Sequence, residues 1–190
     1  MSDLVTVADV ERYINVQNVN AVLLARLVTS ASEFIEAYLS RRILLSTFTD
    51  VRDGNGHDQL MMINIPVVSV LSVLVGSVQI PEAPAPEPGG AINPPGYSWD
   101  DMSVYLGGGA VFAKGRRNVV ITYESGFSVV PAAIQQATID LVVRKYGERT
   151  REGVDTKTVA GEAITYSQKD MSDNTKTLLA PYNTVAPVLR

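Results

Sequence analysis

Residues 20–42 of this chain read NAVLLARLVTSASEFIEAYLSRR, and this stretch predicts a long amphipathic helix. Its apolar residues recur at the spacing that places them on one face of an α-helix. Asn20 is suited to cap the first turn, and Arg41 and Arg42 would oppose the negative end of the helix dipole. The predicted buried face consists of Leu24, Leu27, Val28, Ala31, Phe34, Ile35, Tyr38 and Leu39.

Two further helices are predicted on either side of this one. Thr6 can cap a short helix over about residues 7–16, because Asp9 follows at the position where a carboxylate favours a helix N-terminus. Pro131 suits the first turn of a second long helix over 131–146, for which Gly147 is a natural stop. The buried stripe of that helix comprises Ile134, Ala137, Leu141 and Val142, with the aliphatic stem of Lys145 covering its edge.

The sequence between the two long helices has the composition of β-strands. Residues 44–65 predict a hairpin around the turn DGNGHD (53–58), in which Gly54 and Gly56 would supply positive φ angles. Residues 67–80 predict one or two further strands, and 119–123 predict the strand that closes the region.

Residues 81–96, PEAPAPEPGGAINPPG, interrupt the β region with a run dense in proline. Proline fixes φ and lacks an N–H donor, so this run predicts an extended surface loop. Two interpretations are open. The loop is either a tolerated insertion between strands or an arm that docks on a neighbouring subunit, with Pro84 and Pro86 as contacts.

Together these elements predict one α+β domain over residues 1–190. Residues 1–43 and 131–150 form a small helical bundle, and 44–130 form an antiparallel β-rich insertion between its long helices. Residues 151–190 are polar with sparse apolar anchors, so they predict an extended tail with one short strand at 163–167.

The composition limits the classes of protein that this chain can represent. Its 190 residues carry a net charge of −4 with a pI near 5.0, whereas a DNA-binding domain is normally basic. The absence of cysteine excludes disulfides and fits synthesis in a reducing cytoplasm. The N-terminal residues lack the apolar region of a signal peptide, and the longest apolar stretch, 60–75, is too interrupted to cross a membrane.

None of the sequence motifs typical of a metal or catalytic site is complete. Asp50, Asp53 and Asp58 with His57 lack the spacing of a calcium loop, and one histidine without cysteine is too little for zinc. The glycines at 107–109 are not followed by the Lys of a phosphate loop and predict a hairpin turn instead. No nucleophile elbow is present, so the sequence predicts no catalytic site, metal or cofactor.

A short basic run follows the triple glycine. It consists of Lys114, Arg116 and Arg117. A solvated strand end is one interpretation, and a contact to nucleic acid or to an acidic partner surface is the other.

Four phrases in this order resemble the head–tail connector (adaptor) family of long-tailed bacteriophages. They are LLARLVTSASEFIEAYLSRRIL (23–44), FTDVRDGNGHDQLMMINIPVVSVLSVLVGSVQI (48–80), NVVITYESGFSVVPAAIQQATIDLVVRKYGERTREG (118–153) and LLAPYNTV (178–185). No single phrase is specific, and the ordered set carries the resemblance. The proline-rich loop is longer than the family pattern leads us to expect.

The resemblance implies a structural virion protein of the neck, at the head–tail interface, assembled in the host cytoplasm. It would form a homo-oligomeric ring of about twelve copies beneath the portal protein, since heterologous contacts close into rings. The ring would extend the DNA channel and offer a platform to the next tail-proximal protein, a stopper, tail terminator or tail tube. DNA would pass through the acidic lumen without specific binding.

The resemblance also implies two sets of contact residues. Family members order their C-terminal segment against the portal, which predicts portal binding by Leu178, Leu179, Pro181, Tyr182, Val185 and Val188. Contacts between subunits are predicted for Arg41, Arg42, Arg116, Arg117, Pro84 and Pro86. The alternative function is a tail-completion or tail-terminator ring protein, or another non-enzymatic binding module.

Overall fold

The computed structural model describes residues 3–14, 20–85, 90, 93–148 and 171–183, together with the backbone of 156–159 and 162–165. The chain has a mixed α+β fold and divides into two compact units. The helical unit comprises residues 1–41 and 129–190, and the β unit comprises residues 42–128.

Four helices make up the described part of the helical unit. They are α1 (Val7–Ile14), α2 (Ala21–Leu39), α3 (Ala132–Glu148) and α4 (Asp173–Leu179). Helix α3 contacts each of the other three. The backbone of a short hairpin, β8 (Thr156–Val159) and β9 (Glu162–Thr165), follows α3.

The predicted N-caps are confirmed. The Asn20 side chain accepts a hydrogen bond from the Leu23 N–H at 3.0 Å. Thr6 and Asp9 bond reciprocally at the start of α1, since Thr6 Oγ1 accepts from the Asp9 N–H and the Asp9 carboxylate accepts from the Thr6 N–H. Each bond satisfies an amide that the first helical turn leaves without a partner.

Helix α2 ends earlier than its sequence predicts. Ser40 adopts a left-handed conformation with φ 53° and its N–H bonds back to Ala37, which closes the helix at Leu39. Arg41 and Arg42 therefore follow the helix instead of forming its last turn. At the end of α3, the predicted stop at Gly147 is also displaced, because the helix continues to Glu148.

The buried faces of the long helices agree with the predicted stripes, with one exposed exception and with Leu27 and Phe34 only half-buried. Leu24, Val28, Ala31, Ile35 and Leu39 of α2 are buried, as are Ile134, Ala137, Leu141 and Val142 of α3. The Lys145 ammonium lies 5.5 Å from the centre of the Phe34 ring, so this side chain covers the edge of the stripe as expected. Tyr38 is the exception, because it remains 39% exposed.

The β unit contains two antiparallel sheets that share one core. Strands β1 (Ser46–Gly54), β3 (Val67–Val75), β4 (Val78–Ile80) and β7 (Gly115–Ser125) form the first sheet in the order β1-β7-β3-β4. Strands β2 (Gln59–Met61), β5 (Gly96–Trp99) and β6 (Ser103–Gly107) form the second in the order β2-β6-β5. The common core contains Leu60, Met62, Val67, Val70, Val73, Tyr97, Val104, Leu106, Phe112, Val119, Ile121 and Tyr123.

Two predicted hairpins are wrong. β1 pairs with β7 and β2 pairs with β6, so residues 44–65 supply one strand to each sheet. The glycines at 107–109 do form a turn, with positive φ at Gly108 and Gly109, but the following residues 110–113 are not a strand. In the first case the partner strands are distant in the chain, and Gly56 has the predicted positive φ whereas Gly54 does not. In the second case β6 pairs with the strands that precede it, β5 and β2.

Residues 171–183 also differ from the predicted extended tail. They form α4 and a short 3₁₀ turn (Ala180–Tyr182), with the Ser172 side chain accepting from the Thr175 N–H at the helix start. Met171, Thr175 and Leu179 are buried, because α4 packs on α3. The part of the predicted tail from residue 184 onward lies outside the described residues.

Gly126 lies where the two ends of the β unit meet, and its substitution tests this junction. Its φ is 113°, and an added Cβ would lie 2.8 Å from the Leu44 carbonyl oxygen. We expect Gly126→Ala to lower the free energy of unfolding by about 1–3 kcal/mol, as strained backbone positions do. The measurement is chemical denaturation.

Gly147→Ala is the matched control for this substitution. Gly147 lies near the end of α3 and an added Cβ would meet nothing within 4 Å. We expect no loss of stability here, since alanine favours a helix over glycine. Equal losses at both glycines would contradict the role assigned to Gly126.

Candidate assembly surfaces

One group of predicted contact residues comes together where α2 ends. Arg41 is half-buried in the helical unit, and burial lowers the pKa of its guanidinium while the nearby Tyr182 opposes that shift. The structure thus brings together a residue predicted to contact a neighbouring subunit and one predicted to contact the portal. Arg42, the next residue, is exposed.

The six residues predicted to bind the portal occupy different environments. Leu179 is 0% exposed and belongs to the interior of the helical unit. Leu178 and Tyr182 are half-buried, and Pro181 is exposed. Val185 and Val188 lie outside the described residues, so the portal-binding role of this set stays a prediction.

The stems of the proline-rich loop lie against the second sheet. Glu82 forms a parallel bridge with Tyr97, in which the Ala83 N–H donates to the Tyr97 carbonyl at 2.8 Å. Gly96, with φ 130°, allows this close approach, because a Cβ there would lie 2.7 Å from Ala83. The proline pattern of the sequence contains no signal for this pairing.

These stems line a groove of about 320 Å³. The residues that line it include Pro84, Asn93, Pro94 and Trp99. The ring centre of Trp99 lies 6.1 Å from that of Tyr97. Pro84 itself is exposed on the surface of the β unit, as a contact residue would be. Pro86, its predicted companion, lies outside the described residues.

Arg116 and Arg117 lie at the start of β7, in an excursion that sequence reasoning did not detect. The register of β1 and β7 shifts between Arg52 and Gly54, so a single residue, Asp53, lies opposite residues 116–118. The Arg117 N–H donates to the Asp53 carboxylate at 2.6 Å, and Arg117 has a φ of 51°. Both arginine side chains project into solvent.

Asn118 fixes the other side of this excursion. Its side chain accepts from the Gly54 N–H at 2.8 Å and donates to the Ala113 carbonyl at 2.7 Å. Its own carbonyl accepts from the Gly76 N–H in the turn between β3 and β4. Three segments are thus tied to one asparagine, which holds the two arginines on a defined backbone.

The acidic cluster around His57 does not form a metal site in the described part of the chain. No group of three His, Asp or Glu side chains there is placed to hold an ion. Instead, Asp53 binds the Arg117 backbone, and Asp50 accepts a hydrogen bond from the Tyr123 hydroxyl at 2.9 Å. Among the helices of the described residues, none is both long and apolar enough to cross a membrane.

The Tyr123 hydroxyl is a partly buried polar junction of the β unit. It accepts bonds from the backbone N–H and the side-chain amide of Asn64, at 3.2 and 3.1 Å. Burial raises the pKa of Tyr123 to about 12. The arrangement joins β7, β1 and the segment after β2 through one oxygen, so its role is structural.

Comparison with known proteins now identifies the class of this fold. The model of the head completion protein family matches residues 3–185, so the chain belongs to that family. This confirms the resemblance to phage head–tail connector proteins that the sequence showed. A comparison with curated proteins finds no significant match.

Solved structures show the same fold along nearly the whole chain. A chain in the virion of a native gene transfer agent (GTA) particle has a TM-score of 0.60 and 17% identity, over 96% of this chain and 90% of that one. A chain in the neck of an empty GTA particle, computed with C6 symmetry, has a TM-score of 0.59, 17% identity and the same coverage. A chain in the neck of a native GTA particle, computed with C12 symmetry, has a TM-score of 0.56 and 14% identity, over 97% and 94%.

Removal of the Tyr123 hydroxyl tests the junction described above. We expect Tyr123→Phe to lower the free energy of unfolding by about 1–3 kcal/mol, because Asp50 and Asn64 lose a buried partner. Tyr38→Phe is the control, since Tyr38 is 39% exposed, and it should leave stability unchanged. Urea denaturation of both variants measures this, and an unaffected Tyr123→Phe protein would contradict the structural role.

The same hydroxyl predicts a dependence on pH. The folded pKa of about 12 lies above the ordinary value of 10.0, so the unfolded chain loses the proton first. The contribution of Tyr123 to stability is fully present below pH 10 and is lost as pH rises through about 12. We expect the stability difference between wild type and Tyr123→Phe to shrink across this range, and a constant difference would contradict the assignment.

Proposed function

We propose that this protein is a non-enzymatic structural subunit of the neck of a phage-like particle. In this proposal it is a head–tail connector that forms a ring of about twelve copies beneath the portal. The ring extends the DNA channel and joins the capsid to the next tail-proximal protein. The observation that carries the proposal is membership of the head completion protein family over residues 3–185.

The structural neighbours support the location and the ring. Two of them are chains in the necks of GTA particles, computed with C6 and C12 symmetry, and the similarity extends over 96% and 97% of this chain. A cyclic assembly needs each copy to offer two different surfaces, one to each neighbour. The exposed Pro84, Arg116 and Arg117 of the β unit are candidates for such contacts.

The charge of the chain supports passage of DNA without specific binding. The net charge is −4, and residues 46–130 hold eight acidic against four basic side chains. A ring multiplies this excess, and an acidic channel wall repels the phosphate backbone. DNA would therefore move through the ring without adhering to it.

The C-terminal segment is the proposed portal contact, with a division of roles that follows from burial. Leu179 stabilises α4 against the helical unit, whereas Pro181 and Tyr182 lie beyond the helix and reach its surface. We assign portal binding to the residues from Pro181 onward, including Val185 and Val188. Leu178, half-buried, lies at the boundary.

A truncation separates folding from portal binding. Deletion of residues 184–190 keeps all of α4 with its buried Thr175 and Leu179, so we expect thermal unfolding to be unchanged. It removes Val185 and Val188, so we expect portal binding to fall, with Pro181 and Tyr182 retaining part of it. Deletion of 172–190 should also destabilise the helical unit, because it removes the buried Thr175 and Leu179. Normal portal binding by the shorter truncation would contradict the tail assignment.

Native mass spectrometry of the protein alone and with its portal tests the function itself. We expect a ring of about a dozen copies on the portal, as closed cyclic symmetry requires. A small oligomer that is indifferent to the portal would instead indicate the alternative, a tail-completion or tail-terminator protein. The Leu179-retaining truncation of 184–190 is the matched control for portal dependence.

A further inference from the structure

The β unit presents two unlike surfaces at opposite ends of its central strand. β7 runs the length of the first sheet, and its eleven residues span roughly 35 Å at the rise of an extended strand. Gly115, at its start, lies opposite Gly54, and Ser125, at its end, lies opposite Ser46 and Val67. The features at these two ends differ in charge and are both partly apolar.

The basic end consists of Lys114, Arg116 and Arg117 together with two exposed valines. Val78 is 63% exposed and follows the turn whose Gly76 bonds Asn118, and Val111 is 46% exposed beside Phe112. Within the described residues, none of the three cations forms an ion pair. Asp53 and Asp58 also lie at this end, but the Asp53 carboxylate is engaged by the Arg117 N–H.

The acidic end is built around the turn between β5 and β6. The Asp101 carbonyl accepts from the Val67 N–H and the Met102 carbonyl accepts from the Met62 N–H, which places this turn beside the start of β3. The Asp101 side chain is exposed and, in the described part of the chain, forms no ion pair. Exposed apolar side chains surround it at this end, namely Ile63, Val68 and Met102.

Two more carboxylates lie at the acidic end, each with an internal role. Asp100 accepts from the N–H groups of Met102 and Ser103 and from the Tyr105 hydroxyl. Glu124 accepts from the Ser69 hydroxyl at 2.7 Å. Two cations lie near this end, Arg42, just before the Leu44–Phe127 bridge, and Arg52, whose guanidinium donates to the Met61 carbonyl at 3.4 Å. Three carboxylates against these two cations leave the local balance negative.

We propose that the basic end of one copy docks on the acidic end of the next copy. Both ends combine apolar side chains with charged ones of opposite sign, which is the composition of a protein–protein contact. Two different complementary surfaces on one chain make a heterologous contact, the type that closes into a ring. This inference rests on the proposed function and names the contact through which the ring assembles.

The same observations argue against nucleic acid as the partner of the basic end. Affinity for a phosphate backbone depends on the number of cations that contact it. This end has three cations beside two carboxylates, on a chain of net charge −4. The apolar side chains of Val78 and Val111 make no favourable contact with phosphate. They can pack against the apolar side chains at the acidic end, which are Ile63, Val68 and Met102. The hydrogen bond from the Arg117 N–H to Asp53 also fixes the backbone that carries the two arginines, as suits a specific docking surface.

Charge exchange is the first test of this contact. Arg116→Glu with Arg117→Glu should weaken assembly by about tenfold or more, since like charges then face each other. Arg116→Glu alone and Asp101→Arg alone should each weaken assembly. The variant that combines these two changes should assemble better than either one alone, because opposite charges then face each other again. Arg26→Glu, at an exposed position of α2, is the matched control and should assemble as wild type does. Native mass spectrometry gives the distribution of oligomers, and thermal unfolding verifies that each variant folds.

Cysteine cross-linking is the second test. Because the chain contains no cysteine, only the introduced cysteines can form a disulfide. An Arg116→Cys protein mixed with an Asp101→Cys protein should yield a disulfide-linked pair under mild oxidation in the assembled ring. Arg26→Cys mixed with Asp101→Cys should not. The disulfide requires the two Cα atoms to lie within about 7 Å, so only a direct contact gives it.

The outcomes separate this inference from the proposed function. Rings that form normally with Arg116→Glu and Arg117→Glu, and without the cross-link, would overturn the contact and leave the connector function standing. Variants that assemble normally but lose binding to a short DNA duplex would also overturn it, by identifying a nucleic-acid surface. A protein that forms no ring with or without portal would overturn the connector function and this contact together.

Discussion

The β unit depends on the pairing of β7 with two strands far from it in sequence. β7 lies between β1 and β3, so it is the strand through which residues 46–54 and 67–75 belong to one sheet. Two polar side chains of β7 extend this role beyond backbone pairing. Asn118 ties the β3–β4 turn and the end of β1 to one end of the strand, and the Tyr123 hydroxyl ties Asp50 and Asn64 to the other. Of the two internal strands of this sheet, β7 and β3, only β7 joins β1 to the rest, so the sheet depends on β7 keeping its register.

The helices were largely predictable from sequence because their signals are local. The apolar spacing of 20–42 and the caps at Thr6 and Asn20 involve residues three or four positions apart, and the structure places them as expected. Most strands of the β unit were located, although β5 (Gly96–Trp99) was not predicted. Their partners were not predicted, since pairing between residues some seventy positions apart leaves no local pattern. The hairpin predicted for 44–65 failed for this reason. Its turn was real, and its two strands belong to different sheets.

The candidate contacts were predictable only as residue types. The basic run at 114–117 was visible in the sequence, whereas its backbone excursion depends on Asp53 and Asn118, and neither residue signals that role. Leu179 shows the opposite limit. Leu179 is an apolar residue in a polar segment, which predicted a portal contact, and that contact stays a prediction. The structure shows Leu179 buried where α4 packs on α3. Sequence alone does not distinguish an apolar side chain that binds a partner protein from one that is buried within its own chain.

The ends of the β unit meet, and this affects how the helical unit can form during synthesis. Leu45 donates its N–H to the Phe127 carbonyl, and Phe127 donates to the Ile43 carbonyl, at 3.0 and 2.8 Å. Helices α2 and α3 contact each other although the whole of residues 42–128 separates them. The β unit leaves the ribosome complete before α3 does, and its folding replaces a long flexible connection by a closed one. The entropic cost of bringing the two helices together is then largely met before they contact each other, so the order of translation favours folding of the insertion before α2 packs on α3.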